Sequence, residues 1–242
     1  MEDLETKKTV KSSEQEKANG AKDKTKLYFI LSGVLLAAFL LLIALLKTVD
    51  VKAVTLAGSD GTFDTEIGLA GLNIAVSNAI KFNSTWYKIT GVLGILPLII
   101  ACAFVVFGLA QLVMRKSLKR VDGEIYLLGG LYVLTFIIYI FFEKVIINYR
   151  PVILYKAPEA SFPSSHTVLS LVICMSASFM LEKYVKKQAV LHGMQIALGA
   201  LAAFIVLGRI LAGVHWLTDI LGGLLISLAL YYAFKALNLK FF

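Results

Sequence analysis

Five ionisable side chains suited to chemistry stand in three short segments in the second half of the chain. The segments are Arg150-Pro151, Pro163-Ser164-Ser165-His166, and a stretch that contains Arg209, His215 and Asp219. Each segment lies at the end of a long apolar block. Ionisable groups at membrane depth are costly, and they are usually functional or paired. The pattern therefore predicts that all three segments meet in one polar site at a single level of a helix bundle.

A phosphate group is the ligand that suits these residue types best. Arg150 and Arg209 offer forked donors that match the oxygens of a phosphate. Ser164 and Ser165 stand where a helix is expected to begin, so the free backbone N–H groups and the positive helix end would form an anion site. These residues are the predicted phosphate-binding groups.

The two histidines and the aspartate add the means of cleaving a phosphate ester. His215 and Asp219 are spaced i, i+4, which places both side chains on one face of a helix. The carboxylate would hold the imidazole in one tautomer and leave the other ring nitrogen free to attack phosphorus. His166 would protonate the departing oxygen as a general acid. Taken singly, Asp219 also fits a partner of the helix dipole and Arg209 a snorkelling side chain.

The composition predicts a membrane protein around this site. Apolar residues make up 58% of the chain, and its mean hydropathy is +0.79, against roughly 45–50% apolar residues in soluble domains. The apolar residues form blocks long enough to cross a bilayer as helices. We therefore predict an all-α, integral membrane six-helix bundle over residues 27–242, preceded by a disordered cytoplasmic tail over residues 1–26. The predicted spans are 27–46, 89–114, 125–147, 166–181, 194–214 and 216–237.

The positive charges indicate the orientation of this bundle. The formal net charge is +8, but the Lys and Arg residues lie between the apolar blocks and form no basic stripe, so no nucleic-acid partner is expected. They concentrate in the tail, after the second and fourth spans, and at the end of the chain. The positive-inside rule places these segments, and both termini, in the cytoplasm. The predicted site then faces the extracytoplasmic side of the cell membrane.

The longest connection, residues 48–88, predicts a short amphipathic helix on the membrane surface between spans one and two. Asp64-Thr65-Glu66 is followed by apolar residues in steps of three and four, at Leu69, Leu72, Val76 and Ile80. This spacing gives one apolar helical face.

The three segments also resemble a known family. Arg150-Pro151, Pro163-Ser164-Ser165-His166 and Arg209-x5-His215-x3-Asp219 look like the three-part signature of the type 2 phosphatidic acid phosphatases, a family that includes vanadium haloperoxidases and glucose-6-phosphatase. The resemblance covers roughly residues 90–235. It implies a six-helix core, a lipid phosphate as substrate, and neither a cofactor nor a required metal.

The resemblance also implies a role for each residue of the signature. His215 would be the nucleophile that forms a phosphohistidine, Asp219 its orienting partner and His166 the acid. Arg150, Arg209 and the Ser164-Ser165 segment would bind the phosphate.

This chain departs from the family pattern at three positions. The family places Lys seven residues before the Arg of the Arg-Pro pair. Here that residue is Glu143, and Lys144 follows one step later. The favoured interpretation is that Glu143 pairs with a cation such as Arg150 while the flexible stem of Lys144 reaches the phosphate site; the alternative is that Lys144 only snorkels to the interface. Ser165 stands where the family has Gly, and Gly208 where it has Ser. Because these changes spare the two histidines and Asp219, catalysis is expected to be retained.

The sequence therefore predicts a membrane lipid phosphatase that acts at the outer leaflet and is metal-independent. Candidate substrates are undecaprenyl diphosphate, phosphatidylglycerophosphate and phosphatidate. One alternative is a phosphotransferase that passes the group to an alcohol. Another is a non-catalytic transporter that uses the same charged cluster, which broken helices or an inverted repeat would favour.

Overall fold

The computed structural model describes the backbone of residues 2–58 and 61–242, and the side chains from residue 20 onward except those of 21 and 57–60. Within this part the chain forms eight α-helices, one β-hairpin and a 3₁₀ turn at Leu118–Arg120. The elements are α1 (Glu2–Thr48), β1 (Lys52–Gly58), β2 (Gly61–Ile67), α2 (Ala70–Ile80), α3 (Ser84–Leu93), α4 (Ile95–Arg115), α5 (Gly123–Lys144), α6 (Ser165–Tyr184), α7 (Gln188–Leu211) and α8 (Leu217–Phe241).

The prediction of an all-α membrane bundle with six spans is confirmed. Six helical segments are long and apolar enough to cross a membrane, and each corresponds to one predicted span. The second span is longer than predicted because α3 and α4 follow one another with a break at Gly94. The observed segments are Lys22–Thr48, Ser84–Arg115, Gly123–Lys144, Ser165–Tyr184, Gln188–Leu211 and Leu217–Phe241.

The first helix begins well before its apolar part. Its backbone is helical from Glu2, through the tail for which the composition predicts disorder. Lys and Glu, which are frequent in this tail, are good helix formers. Met1 and the side chains of residues 2–19 lie outside the described residues. The division of the chain at residue 26 into a tail and a membrane domain stays a prediction.

Helices α6 and α8 form the centre of the bundle. In each of these two helices, half of the most apolar 18-residue stretch is buried, whereas only 6% of the corresponding stretch of the α3–α4 span is buried. Helix α1 packs along α8, and α6 packs against both α7 and α8. The apolar side chains of α4 and α5 point outward to a large extent, as expected of helices in contact with lipid. The buried core includes Phe39, Leu46, Leu128, Val172, Phe162 and Phe234.

Two glycine pairs, Gly129-Gly130 in α5 and Gly222-Gly223 in α8, contribute differently to this packing. A Cβ on Gly222 would overlap the ring of Phe162, and a Cβ on Gly223 would lie 2.8 Å from the Thr167 methyl carbon. Small residues at these positions therefore allow α8 to approach the start of α6. Gly129 and Gly130, by contrast, have no atom of the described residues within 4 Å of the position of a Cβ.

The connection between spans one and two contains a β-hairpin that the sequence did not predict. Asp64, Thr65 and Glu66, which were expected to precede a helix, lie in β2 and pair with β1 in antiparallel register. Residues of β2 alternate between exposed and less exposed positions, as in a half-buried strand. The predicted helix is present as α2, although Leu72 of its expected apolar face is 46% exposed.

The hairpin and α2, with the loop that follows, form a cap (residues 50–83) over the turn between α7 and α8. Trp216 of this turn is buried against Leu56, Ile67 and Ala70 of the cap. On the other side of the turn, the Asn83 N–H donates to the Ala212 carbonyl at 3.0 Å. The cap therefore holds the segment that carries His215.

Candidate active site

The connection between α5 and α6 delivers Arg150 to the site. Helix α5 ends at Lys144 rather than continuing to Ile147 as predicted. The backbone beyond it pairs with the returning strand of the same connection: the Ser161 N–H donates to the Asn148 carbonyl at 2.9 Å, and the Arg150 N–H to the Glu159 carbonyl at 3.0 Å. These tertiary hydrogen bonds replace the helical ones. Arg150 therefore does not lie on one continuous helix with Glu143, and the spacing of seven residues does not fix their relative directions.

His215 and Asp219 lie together as their spacing predicts. His215 Nδ1 is 3.6 Å from Asp219 Oδ2, and both side chains are almost fully buried. The same Oδ2 accepts a hydrogen bond from the Trp216 N–H at 2.9 Å. The other oxygen, Oδ1, accepts from Asn148 Nδ2 at 3.3 Å. Asn148, which the sequence analysis missed, therefore helps to orient the carboxylate.

The environment of His215 favours its neutral form. Burial lowers the pKa of the imidazole to about 4, with Arg150 and Arg209 acting in the same direction and Asp219 opposing them. At pH 7 the ring is therefore uncharged and carries a free lone pair, which a nitrogen nucleophile requires. Among the described residues, neither ring nitrogen has a hydrogen-bond partner within bonding distance.

The start of α6 contributes its three predicted residues in different ways. Ser165 lines a cavity that also contains His215 and Arg150. His166 is close enough to Arg209, His215 and Arg150 to interact electrostatically with all three. Ser164 is fully buried behind the cavity: its N–H donates to the Asp219 carbonyl at 3.0 Å, and its hydroxyl accepts from Thr167 Oγ1 at 3.1 Å. Ser164 thus joins α6 to α8 rather than lining the cavity.

The two arginines occupy different depths. Arg150 is partly exposed, and its Nε lies 3.4 Å from Glu159 Oε2. Arg209 is completely buried, and its guanidinium lies over the Tyr87 ring at 5.3 Å. Its NH1 group donates to Thr90 Oγ1 at 3.4 Å. A cation over an aromatic face is stabilised by the ring quadrupole, which offsets part of the cost of burying Arg209.

Thr90 and Tyr87 of α3 are site residues that sequence analysis missed. The methyl group of Thr90 occupies the space into which a side chain at Gly208 would project. The departure at Gly208 is therefore accompanied by a hydroxyl that reaches Arg209 from a different helix. No local sequence signal marks Thr90, because its partner is more than a hundred positions away.

Glu143 and Lys144 are placed differently. Glu143 lines the same cavity as Arg150, and its carboxylate interacts with Tyr139 on the preceding turn of α5. Lys144 is an exposed side chain at the end of α5 and is not among the residues that line the cavity. The structure thus brings together every predicted site residue except Lys144, with Ser164 in a supporting position.

The basic segments lie at the opposite end of the bundle from this site. Lys183 at the end of α6 pairs with Glu124 at the start of α5, with Nζ and Oε1 2.6 Å apart. Arg115 at the end of α4 pairs with Asp122 at 2.7 Å. The hydrogen bonds from Arg115, Gln111 and Tyr184 outweigh burial and lower the pKa of Asp122 to about 2.

The region that contains this site matches a known protein family. Residues 127–241, which contain every predicted site residue, match the model of the PAP2 superfamily. The fold is similar to the crystal structure of a transmembrane PAP2-type phosphatidylglycerolphosphate phosphatase from Bacillus subtilis, with a TM-score of 0.59 and 19% identity, covering 87% of this chain and 97% of that chain. No curated protein matches the sequence.

The family match over residues 127–241 and the fold together support assignment of the chain to the PAP2 superfamily, the type 2 phosphatidic acid phosphatases. This assignment supports a multi-pass membrane phosphatase whose substrate is a lipid.

Gly94, at the break between α3 and α4, makes room for His166. A Cβ at this position would lie 2.6 Å from His166 Cδ2 and 3.0 Å from Nε2. We expect Gly94→Ala to displace the imidazole and to lower kcat about tenfold or more, because small misplacements of a catalytic group are costly. Phosphate release by the purified variant measures the effect. Gly91→Ala, one turn earlier with nothing near its Cβ, is the matched control; equal activity of both variants would contradict the expectation.

Proposed function

We propose that this protein hydrolyses a lipid phosphate at the outer leaflet through a phosphohistidine on His215. One observation carries the proposal: a buried, neutral imidazole lies beside Asp219 and lines the same cavity as Arg150 and Ser165. The arrangement offers a nucleophile and a cation for the phosphate at one place. The family assignment supports the same chemistry.

In the first step His215 attacks phosphorus through Nε2, because Nδ1 faces Asp219. The new N–P bond forms as the P–O bond to the lipid breaks. The negative charge of the bound phosphate would favour the protonated form of His166. His166 then donates a proton to the departing oxygen, so the lipid leaves as an alcohol, or as a monophosphate if the substrate is a diphosphate.

In the second step water attacks the phosphohistidine and transfers a proton to His166. The N–P bond breaks, inorganic phosphate is released, and both histidines return to their initial states.

The phosphate oxygens would be held by protein groups alone. Arg150 and Arg209 supply guanidinium donors, and the first backbone N–H groups of α6 point toward the end of the helix at Ser165. Positive charge preorganised in a site with little water stabilises the charge that develops in the transition state. This arrangement gives a physical basis for activity without a metal.

The walls of the cavity suit a lipid substrate. Ile138 and Phe142 of α5 face Val168 and Leu169 of α6 across it. These apolar side chains line the cavity between two spans and suit contact with an acyl or prenyl chain. Phosphatidate, phosphatidylglycerophosphate and undecaprenyl diphosphate all combine such a chain with a phosphate. The PAP2-type neighbour is described as a phosphatidylglycerolphosphate phosphatase, which makes that lipid the first substrate to test.

The proposed mechanism predicts a hierarchy among the catalytic variants. His215→Ala should abolish turnover because it removes the nucleophile. His166→Ala should lower kcat by about 10²–10⁴-fold, the usual effect of losing a general acid. Asp219→Asn should be damaging, but less than the loss of His215. Phosphate release from a panel of detergent-solubilised lipid phosphates gives kcat for each variant.

Two additions to the same assay test the metal-independent route. Activity should persist in a strong chelator and be inhibited by vanadate, which adopts the five-coordinate geometry of phosphoryl transfer. A near-normal kcat of the His215→Ala variant would show that His215 is not the nucleophile. Loss of activity with the chelator, restored by magnesium, would indicate a different mechanism.

The orientation is tested with two matched cysteine variants. In a background without Cys102 and Cys174, Lys156→Cys in the α5–α6 connection should react with a membrane-impermeant thiol reagent in intact cells. Lys119→Cys, at the basic end of the bundle, should react only after the cells are opened. Both lysines are exposed, so access depends on the side of the membrane. The reverse labelling would place the active site in the cytoplasm.

Glu143 and Lys144 are tested as a neighbouring pair. If the stem of Lys144 bends into the site, Lys144→Ala should raise KM several-fold with a smaller change in kcat, the pattern of lost uniform binding. Glu143→Gln removes a negative charge from the cavity and should leave KM unchanged or lower it. Wild-type kinetics of Lys144→Ala would show that this side chain acts only as an anchor at the interface.

A further inference from the structure

Asn73 of α2 is a fully buried polar side chain far in sequence from the signature segments. Its Oδ1 atom accepts a hydrogen bond from the Thr218 N–H at 3.2 Å. Its Nδ2 group donates to the Gly68 carbonyl at 3.0 Å. Both ends of the amide are therefore engaged, one within the cap and the other on α8.

The Thr218 N–H has a particular place in the fold. It belongs to the first turn of α8, where backbone N–H groups have no acceptor within the helix. Thr218 also stands between His215 and Asp219 in the chain. The amide oxygen of Asn73 caps this turn from a different segment, so the cap restrains the same backbone that carries the nucleophile and its carboxylate partner.

The end of the cap packs against the turn before His215. Gly213 has a positive φ of 64°, and a Cβ on it would overlap the Lys81 carbonyl just after α2. The Asn83 N–H donates to the Ala212 carbonyl at 3.0 Å. The cap thus contacts the α7–α8 turn on both sides of His215, through Asn73 after it and through residues 81–83 before it.

We propose that Asn73 is a positioning residue, which fixes the first turn of α8 through the Thr218 N–H so that His215 is aligned with the phosphate. This inference rests on the proposed function of His215. It gives the connection between spans one and two a role in the reaction. Binding of the phosphate does not require Asn73, because Arg150, Arg209 and Ser165 reach the site from other elements.

The proposal predicts a specific kinetic pattern for Asn73→Leu. This substitution is close in size and removes both hydrogen bonds. A small shift of the nucleophile is expected to lower kcat about 10- to 100-fold, while KM changes less than about twofold because uniform binding is kept. Asn78→Leu, an exposed position on the same helix, is the control and should behave as wild type.

Inhibition constants distinguish a positioning role of Asn73 from a merely structural one. Vanadate bonds to the nucleophile, so its inhibition constant in Asn73→Leu should rise in parallel with the loss of kcat. Inorganic phosphate needs only the arginines and the helix end, so its inhibition constant should stay unchanged. A general loosening of the fold would weaken both inhibitors equally.

The variant Asn73→Asp tests the hydrogen bond itself. Aspartate keeps the acceptor for the Thr218 N–H, and its negative charge is favoured at the start of a helix, although the donor to Gly68 is lost. Its kcat should therefore exceed that of Asn73→Leu at least several-fold. If Asn73→Leu does not purify in folded form, Asn73→Ser takes its place in the comparison with Asn73→Asp, and the same order is expected.

Two outcomes would overturn the proposal while leaving the proposed function intact. One is wild-type kcat and vanadate inhibition in Asn73→Leu, or in Asn73→Ser where that variant replaces it. The other is a kcat of Asn73→Asp that equals that of the variant without the acceptor. By contrast, an absence of phosphate release by the wild-type protein on every lipid phosphate would overturn the proposed function itself.

Discussion

The architecture of the site depends on the burial of one carboxylate, that of Asp219. Its side chain has no exposed surface, and a charge in such a place is tolerated only when hydrogen bonds surround it. The Trp216 N–H and Asn148 Nδ2 donate to its two oxygens, and His215 lies beside it. Its backbone carbonyl accepts from Ser164. The start of α8, the α5–α6 connection and the start of α6 therefore meet at a single residue.

In the proposed mechanism, this junction separates the positioning of the nucleophile from the binding of the phosphate. Asn73 and the groups that donate hydrogen bonds to Asp219 fix the α7–α8 turn, and of the side chains there only His215 needs to touch the substrate. Arg150 of the α5–α6 connection, Arg209 near the end of α7 and Ser165 at the start of α6 would supply the positive charge and N–H donors. Preorganisation of both sets before the substrate arrives lowers the cost of reaching the transition state. The cap packs on Trp216, and in our proposal it contributes to this preorganisation.

The departures from the family pattern are accommodated locally. At Gly208 the missing side chain is replaced in space by Thr90, whose hydroxyl reaches Arg209. At Glu143 the cavity gains a carboxylate, and Arg150 has its own carboxylate neighbour in Glu159. The mouth of the cavity is therefore less positive than a lysine at position 143 would make it. We expect differences of this kind to change the affinity for phosphate and the choice of substrate while the histidines and Asp219 keep their arrangement.

The sequence by itself determined the six spans and the pairing of His215 with Asp219. These features follow from apolar block length and from i, i+4 spacing, which are local properties of the chain. Only the tertiary structure decided the end of α5 at Lys144, the hairpin of the cap, and the roles of Asn73, Thr90 and Asn148. Each of these depends on hydrogen bonds or packing between segments distant in sequence, which no local pattern encodes.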